Sequence, residues 1–314
     1  MHLIDSVKRK LVQIKQRVNS VYMSDKQADD IFAFGVKTNS VQLSKWWHKG
    51  IPNIDDVMCG KTFPRSTIVK WFSMDNEESF DNRSQVPHSK WDHTISYYKD
   101  RGKWPFTKDN VNYTFNSLGY RGDDHNDEAD YTVMLIGDSH SFGIGLDDQQ
   151  TWAHQFKMLL RQQYPNCKIV NLSCPGASND WIGRTVSCAI DIVKPDCVVV
   201  CYTYPNRREA IWDSGLCIQL GTVIPPNPVQ AEYEEFQSWF MTINEHTDMY
   251  NMIKNQRLVE ATCHSTLLVE SHVTQMQSIQ RGLGTVLGYT DVARDCQHFG
   301  PKVHKEYARK MYQK

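Results

Sequence analysis

What this chain of 314 residues lacks narrows it before any motif is read. No apolar run approaches the ~18–20 residues that cross a bilayer. The opening stretch MHLIDSVKRKLVQIKQRV carries charges where a cleavable leader needs an apolar segment, so a cytoplasmic protein without a transmembrane anchor is expected. Excess charge of either sign is missing too: 35 Lys+Arg stand against 36 Asp+Glu, for a net charge of -1. That balance supplies no electrostatic reason to bind nucleic acid. The nine cysteines are odd in number, scattered and never spaced as CxxC, which speaks against a zinc ribbon or a disulfide framework and for reduced, buried thiols. None of the 12 histidines falls in an HxxxH or HExxH pattern, so neither a metal nor another cofactor is expected. Internal repeats and low-complexity tracts are also missing.

What remains is a foldable composition. Hydrophobic residues make up 40% and charged residues 23% of the chain, enough for a core and too little charge for global disorder. The length suggests roughly two domains at ~100–200 residues each. Val7, Leu11, Ile14, Val18 and Val21 form a helical stripe with basic residues between them. The stripe suits a helix packed on its own domain with a solvated basic face, or a basic amphipathic helix for a membrane surface or partner. Beyond it, up to residue 128, short apolar pieces such as Ile31–Val36 and Thr67–Phe72 sit among polar stretches, and Asp75–Lys90 reads as a surface loop. Residues 1–128 form an N-terminal region of unassigned fold, packing on or capping the rest.

From Tyr131 the pattern turns regular. Tyr131–Ile136, Lys168–Leu172, Cys197–Tyr202 and Thr266–Glu270 read as buried strands. Between them lie helical stretches: one capped by Asp148 and carrying Trp152 and Phe156, one over Asn179–Val193, and a pair over 229–264 with Trp239, Phe240 and Met241 buried. Pro301–Tyr312 closes the chain as a helix with proline in its first turn. Alternation at this spacing implies an α/β fold, a three-layer α/β/α sandwich around a mainly parallel sheet, over residues 129–314. In such sheets reactive groups collect beyond the carboxyl ends of the strands.

Four signals lie there. Gly137-Asp138-Ser139 follows the first strand and offers a hydroxyl on a strand-to-helix turn. Gly176 follows the second, where its N–H can face a ligand. Asn206 follows the third with an amide donor, and Asp295-x-x-His298 precedes the last helix, a spacing that lets the carboxylate meet Nδ1–H. Each alone is a common turn or cap.

Together and in this order, these blocks resemble the SGNH hydrolases, the GDSL-like esterase and lipase superfamily, over about residues 129–314. Asn116-Ser-Leu-Gly-Tyr-Arg-Gly122 is similar to the lead-in segment of some members. The third block departs from the family's Gly-x-Asn-Asp, reading Tyr204-Pro205-Asn206-Arg207. The resemblance implies Ser139 as nucleophile, His298 as general base and acid, and Asp295 as its orienting partner. It also implies an oxyanion hole from the backbone N–H groups of Ser139 and Gly176 and the Asn206 amide. The expected activity is that of a serine-dependent ester hydrolase acting on small acyl esters, acetyl first and a carbohydrate as the preferred alcohol. Cleft candidates are Trp181, Tyr202, Tyr204, Arg207, Arg208 and Trp212, with packing as the competing role of the tryptophans. An O-acyltransferase on a glycan would use the same triad, and a non-enzymatic glycan-binding or virion surface module would keep a relic of it.

Overall fold

The computed structural model describes residues 64–83, 105–211, 217–220, 244–287, 291–295 and 297–314, all inside a compact unit spanning Asn53–Lys314. The stripe over residues 4–21, Ile31–Val36, Trp212 and Trp239, Phe240 and Met241 lie outside the described residues.

Four apolar runs become one parallel sheet. In chain order they are β3 (Tyr131–Ile136), β4 (Cys167–Asn171), β5 (Cys197–Tyr202) and β8 (Leu267–His272), arranged β4-β3-β5-β8. Side chains alternate between the two faces, as the two-residue period of a strand requires. Met134, Ile136, Val170, Val198 and Val200 enter one core, and Val133, Leu135, Ile169, Val199 and Cys201 enter the other. Helix α4 (Asn179–Val193) covers the first face with Trp181, Ile182, Val186 and Ala189, joined by Val259 of α5 (Glu245–Thr262). Helices α3 (Trp152–Leu160), α6 (Val273–Leu287) and α7 (Pro301–Tyr312) cover the second with Trp152, Phe156, Met276, Val303 and Tyr307. The result is the expected α/β/α sandwich. Among the described residues no helix is long and apolar enough to cross a membrane.

Several local expectations shift. The cap of α3 is Thr151, whose Oγ1 accepts the His154 N–H, while Asp147 caps a short 3-10 turn over Asp148–Gln150. Ser178 caps α4, its side chain accepting the Trp181 N–H. Strand β4 begins one residue early, and β8 runs on to His272 and into α6, a helix not foreseen. An antiparallel hairpin of β6 (Arg208–Ile211) and β7 (Cys217–Leu220) follows β5. The expected surface loop from Asp75 instead starts with a buried aspartate and continues as α1 (Glu77–Arg83). Its polar sequence hid a residue whose charge is matched only across the fold.

The segments 64–83 and 105–128 contribute β1 (Thr67–Val69) and β2 (Tyr113–Phe115), an antiparallel pair. Phe106, Val111, Tyr113 and Phe115 share a third core with Phe142, Ile144, Leu146 and Ala293, which belong to the sandwich. The thiols of Cys167, Cys174, Cys197, Cys201 and Cys263 are free and buried, and that of Cys188 is free and half-buried.

Candidate active site

In the order β4-β3-β5-β8 the chain steps outward from β3 to β4 and then crosses back over β3 to β5. The turns leaving β3 and β5 therefore open a crevice at the switch point of the sheet. The turn after β3 is unusually tight: a Cβ on Gly137 would collide with Ser141 Oγ and stand 3.1 Å from the Cys201 carbonyl oxygen. Only glycine lets the backbone pass and enter α2 (Ser139–Phe142) at once, which leaves Ser139 as its first residue, 6% exposed.

Asp138 holds this turn. Its carboxylate accepts the His140 N–H at 2.9 Å, the Thr203 hydroxyl at 2.7 Å and the Arg207 guanidinium at 2.9 Å. Burial pushes its pKa up, but the positive fields of His140 and Arg207 and the hydrogen bonds from Thr203 and the His140 amide outweigh it and hold the carboxyl below its ordinary value. Burial also drives His140 down to about 4, so at neutral pH Arg207 is the cation that matters to Asp138.

The loop 291–300 carries the other half. Asp295 Oδ1 accepts the backbone N–H groups of Gln297 and His298, each at 3.1 Å, and Asp295 Oδ2 accepts from His298 Nδ1–H. With Nδ1 donating, Nε2 is the ring atom left to take a proton. Burial raises the Asp295 pKa, yet the charge and ring hydrogen bond of His298 and the two amides bring it below its usual value. The carboxylate stays ionised where its partner needs it. The loop is pinned to the Ser139 turn at two places. The Arg294 N–H donates to the Gly145 carbonyl at 2.9 Å, and the His140 ring lies 4.9 Å from that of His298.

Gly176 comes alongside because the β3–β4 ladder continues past the strands, with Cys174 N–H donating to the Gly137 carbonyl at 3.1 Å. Gly176 has φ 77 and is exposed. Among the described residues, no acceptor takes the N–H of Ser139 or of Gly176. Asn206 sits half-buried in the turn after β5, and its side chain donates to no described residue. The same end of the sheet thus holds Ser139, Gly176, Asn206, Asp295 and His298.

The cleft candidates fare differently. Trp181 is fully buried in the core under α4, the packing role, so it does not line a cleft. Tyr202 is buried, with its hydroxyl donating to Glu270 at 2.7 Å, and Arg208 is buried against Asp248 at 2.8 Å. These corrections share a cause: the strand and helix positions that flank these turns point into the sandwich or against α5. Tyr204 and Arg207 stay half-buried at the crevice, the guanidinium 5.3 Å from the Tyr204 ring centroid.

Sequence reasoning missed the supports. Asn179 pairs through both side-chain amide atoms with the backbone of Thr203, at 2.9 and 3.1 Å. Arg121, inside the lead-in segment, donates to the carbonyls of Phe142 (3.1 Å), Gly143 (2.5 Å) and Leu146 (2.5 Å), and so clamps the chain that leaves Ser139. The resemblance of Asn116–Gly122 was a signal for it, without a role attached. A separate cleft of about 220 Å³ lies beside α3 and β4. There Lys157 is bound to Asp123 at 2.7 Å and Arg121 to Asp148 at 2.5 Å, so its charges are already matched. Among the described residues no three His, Cys, Asp or Glu side chains gather as a metal site would need.

No protein-family model matches the chain, and no curated protein does. Solved structures with similarity include a psychrotrophic esterase from Pseudoalteromonas sp., at 14% identity and TM-score 0.32, covering 59% of this chain and 95% of that one. Another is a lipolytic protein of the G-D-S-L family from Desulfitobacterium hafniense, described as putative, at 9% identity and TM-score 0.33, covering 58% and 99%. A third is an acetylxylan esterase from Geobacillus stearothermophilus, at 16% identity and TM-score 0.30, covering 60% and 94%.

Proposed function

We propose that this chain is a divergent SGNH hydrolase, a serine esterase that cleaves small acyl esters. The observation that carries the reading is the buried Asp295–His298 pair set against the turn that presents Ser139. Ser139 Oγ attacks the ester carbonyl and gives its proton to His298 Nε2, and Asp295 stabilises the imidazolium. The oxyanion takes hydrogen bonds from the N–H groups of Ser139 and Gly176 and from Asn206, each worth ~3 kcal/mol of barrier. Collapse releases the alcohol with the proton from His298, leaving an acyl-serine. Water then attacks that ester, passes a proton to His298, and frees the acid and the serine.

Ser139 and His298 are 6% and 7% exposed, which favours a short acyl group such as acetyl. Among the described residues the carbohydrate alcohol rests now on Tyr204 and Arg207, since Trp181, Tyr202 and Arg208 are spent on packing, a hydrogen bond and an ion pair. The free thiols fit a reducing, cytoplasm-like compartment.

A fluorophosphonate probe tests the reading. It is expected to label Ser139, to fail on Ser139→Ala, and to compete with p-nitrophenyl acetate. No labelling at any pH from 5 to 9 sinks the enzymatic reading and leaves a binding module. Acetate released without an acceptor marks a hydrolase, and acetyl transfer only with added glycan marks an acyltransferase.

A further inference from the structure

The N-terminal segment reaches the catalytic loop through one buried charge. Arg294, adjacent to Asp295, is paired with Asp75 at 2.7 Å, with side chains 0% and 1% exposed. Its Nε also donates to both Asp75 oxygens, at 3.1 and 3.2 Å. Its remaining donors go to main-chain carbonyls of the same segment: Thr107 at 3.4 Å, Lys108 at 3.2 Å, and Lys70. The guanidinium lies 3.9 Å from the Trp71 ring centroid. Asp75 meanwhile accepts the Tyr113 hydroxyl at 2.6 Å, and that oxygen accepts the Gly145 N–H at 2.6 Å. Gly145 closes the circuit, because its carbonyl takes the Arg294 N–H at 2.9 Å.

We infer that Asp75, Arg294 and Tyr113 are positioning residues for the acid–base pair, so that the segment before the sandwich completes the active site. The inference rests on the esterase reading for its catalytic meaning. The physical case is one of geometry. A guanidinium with its donors spread over one carboxylate and several carbonyls has a single orientation, and the backbone that carries it is fixed with it. That backbone continues directly into Asp295, whose carboxylate orients His298. Asp75 binds the same loop from its other side through Tyr113 and Gly145, on the chain that leaves Ser139. Nucleophile and base are thus referenced to one buried carboxylate that lies outside the strand–helix alternation of the sandwich. An oriented pair loses on the order of 10²-fold in rate for a displacement near 1 Å.

Full-length variants test this. Asp75→Ala is expected to lower kcat about 10²-fold with KM held within about twofold. It should also melt early, because a buried cation is left without its partner. Asp75→Ala/Arg294→Met removes both charges and keeps apolar volume. It is expected to regain thermal stability while kcat stays low, since methionine cannot hold the carbonyls of the segment. Recovery of kcat together with stability means the pair is merely structural and overturns the inference. Where Asp75→Ala does not fold, Asp75→Asn takes its place with the same kcat and KM readout. The proton between His298 and Asp295, followed as a downfield resonance in the proton spectrum, supplies a readout free of activity. It should move or vanish in the Asp75 variant, and an unchanged signal overturns the positioning role. If wild type neither labels nor hydrolyses, the esterase reading fails on its own, and the resonance still decides whether Asp75 orients the pair.

Discussion

The imidazole of His140 lies 4.9 Å from that of His298, inclined at 59°, and its ring stacks on Phe299 with 4.3 Å between centroids. A residue next to Ser139 in the chain therefore forms a wall behind the His298 ring. Burial drives its pKa down to about 4, so above that pH the wall is neutral and adds no charge beside His298. Its Nδ1 is buried with no hydrogen-bond partner among the described residues, as is Nε2 of His304.

These two histidines make an acid-stability prediction. Burial lowers His304 well below its ordinary value, as it lowers His140. In the unfolded chain both take up protons below pH ~6.5, while the folded protein refuses them. Their contribution is thus neutral above pH ~6.5, and stability falls as pH drops toward 4, by up to about 1.4 kcal/mol per pH unit for each proton. Asp138 and Asp295, with depressed values, contribute above the ordinary carboxylate range and lose this only at lower pH. Burial also lowers His154 and His272, which add to the slope between ~6.5 and ~4, and raises Asp291, which opposes it toward the acid end. Thermal melts across that range should show the slope, and His140→Leu should make it shallower. An equally steep slope in the variant assigns it elsewhere.

Asp295→Asn should leave the fold intact and cut kcat by roughly 10⁴-fold, because an amide can hold His298 in the wrong tautomer. Labelling of Ser139 should slow in parallel. Steady-state kinetics beside a circular dichroism spectrum check both halves, and a loss under tenfold rejects Asp295 as the orienting group.

Gly145→Ala should damage stability and activity together. Gly145 has φ 75, and a Cβ there would stand 2.9 Å from Ala293 Cβ and 3.0 Å from the backbone nitrogens of Arg294 and Asp295. The left-handed backbone and the collision together cost about 1–3 kcal/mol, relieved only by pushing the Asp295 loop away from the Ser139 turn. Chemical denaturation and kcat of the same preparation should therefore both fall.

Arg207→Ala separates a structural from a substrate-binding arginine. Its side chain is 22% exposed and that of Asp138 0%. Removing it leaves a buried carboxylate with its cation gone. A loss of about 1–3 kcal/mol is expected, less than for a fully buried pair because Arg207 is partly in water. Unfolding in urea measures it. Unchanged stability with a raised KM shows instead that Arg207 serves only the substrate.

The strands, most of the helices and the turns that follow the strands were legible in the residues, because each depends on nearest-neighbour chemistry. Apolar runs of strand length mark β3, β4, β5 and β8, and turn residues follow them. Pro301 at the first turn of α7 marks its start. The Asp295–His298 spacing is likewise local, three residues along one loop. The same local reading misjudged Trp181, Tyr202 and Arg208, since sequence tells which residue follows a strand and not whether its side chain turns toward the crevice or the core. It also read Asp75 as part of a solvated loop. A lone charge in a polar stretch has no local mark of burial. Its burial depends on Arg294, separated from it by 219 residues and brought to 2.7 Å only by the packing of the third core. The chain's own pattern thus determined a parallel α/β sandwich and the residue types at the carboxyl edge of its sheet. The tertiary structure decided which of them meet and which segment holds them, because the matching of buried charge and the close approach at Gly145 exist only once distant segments are packed together.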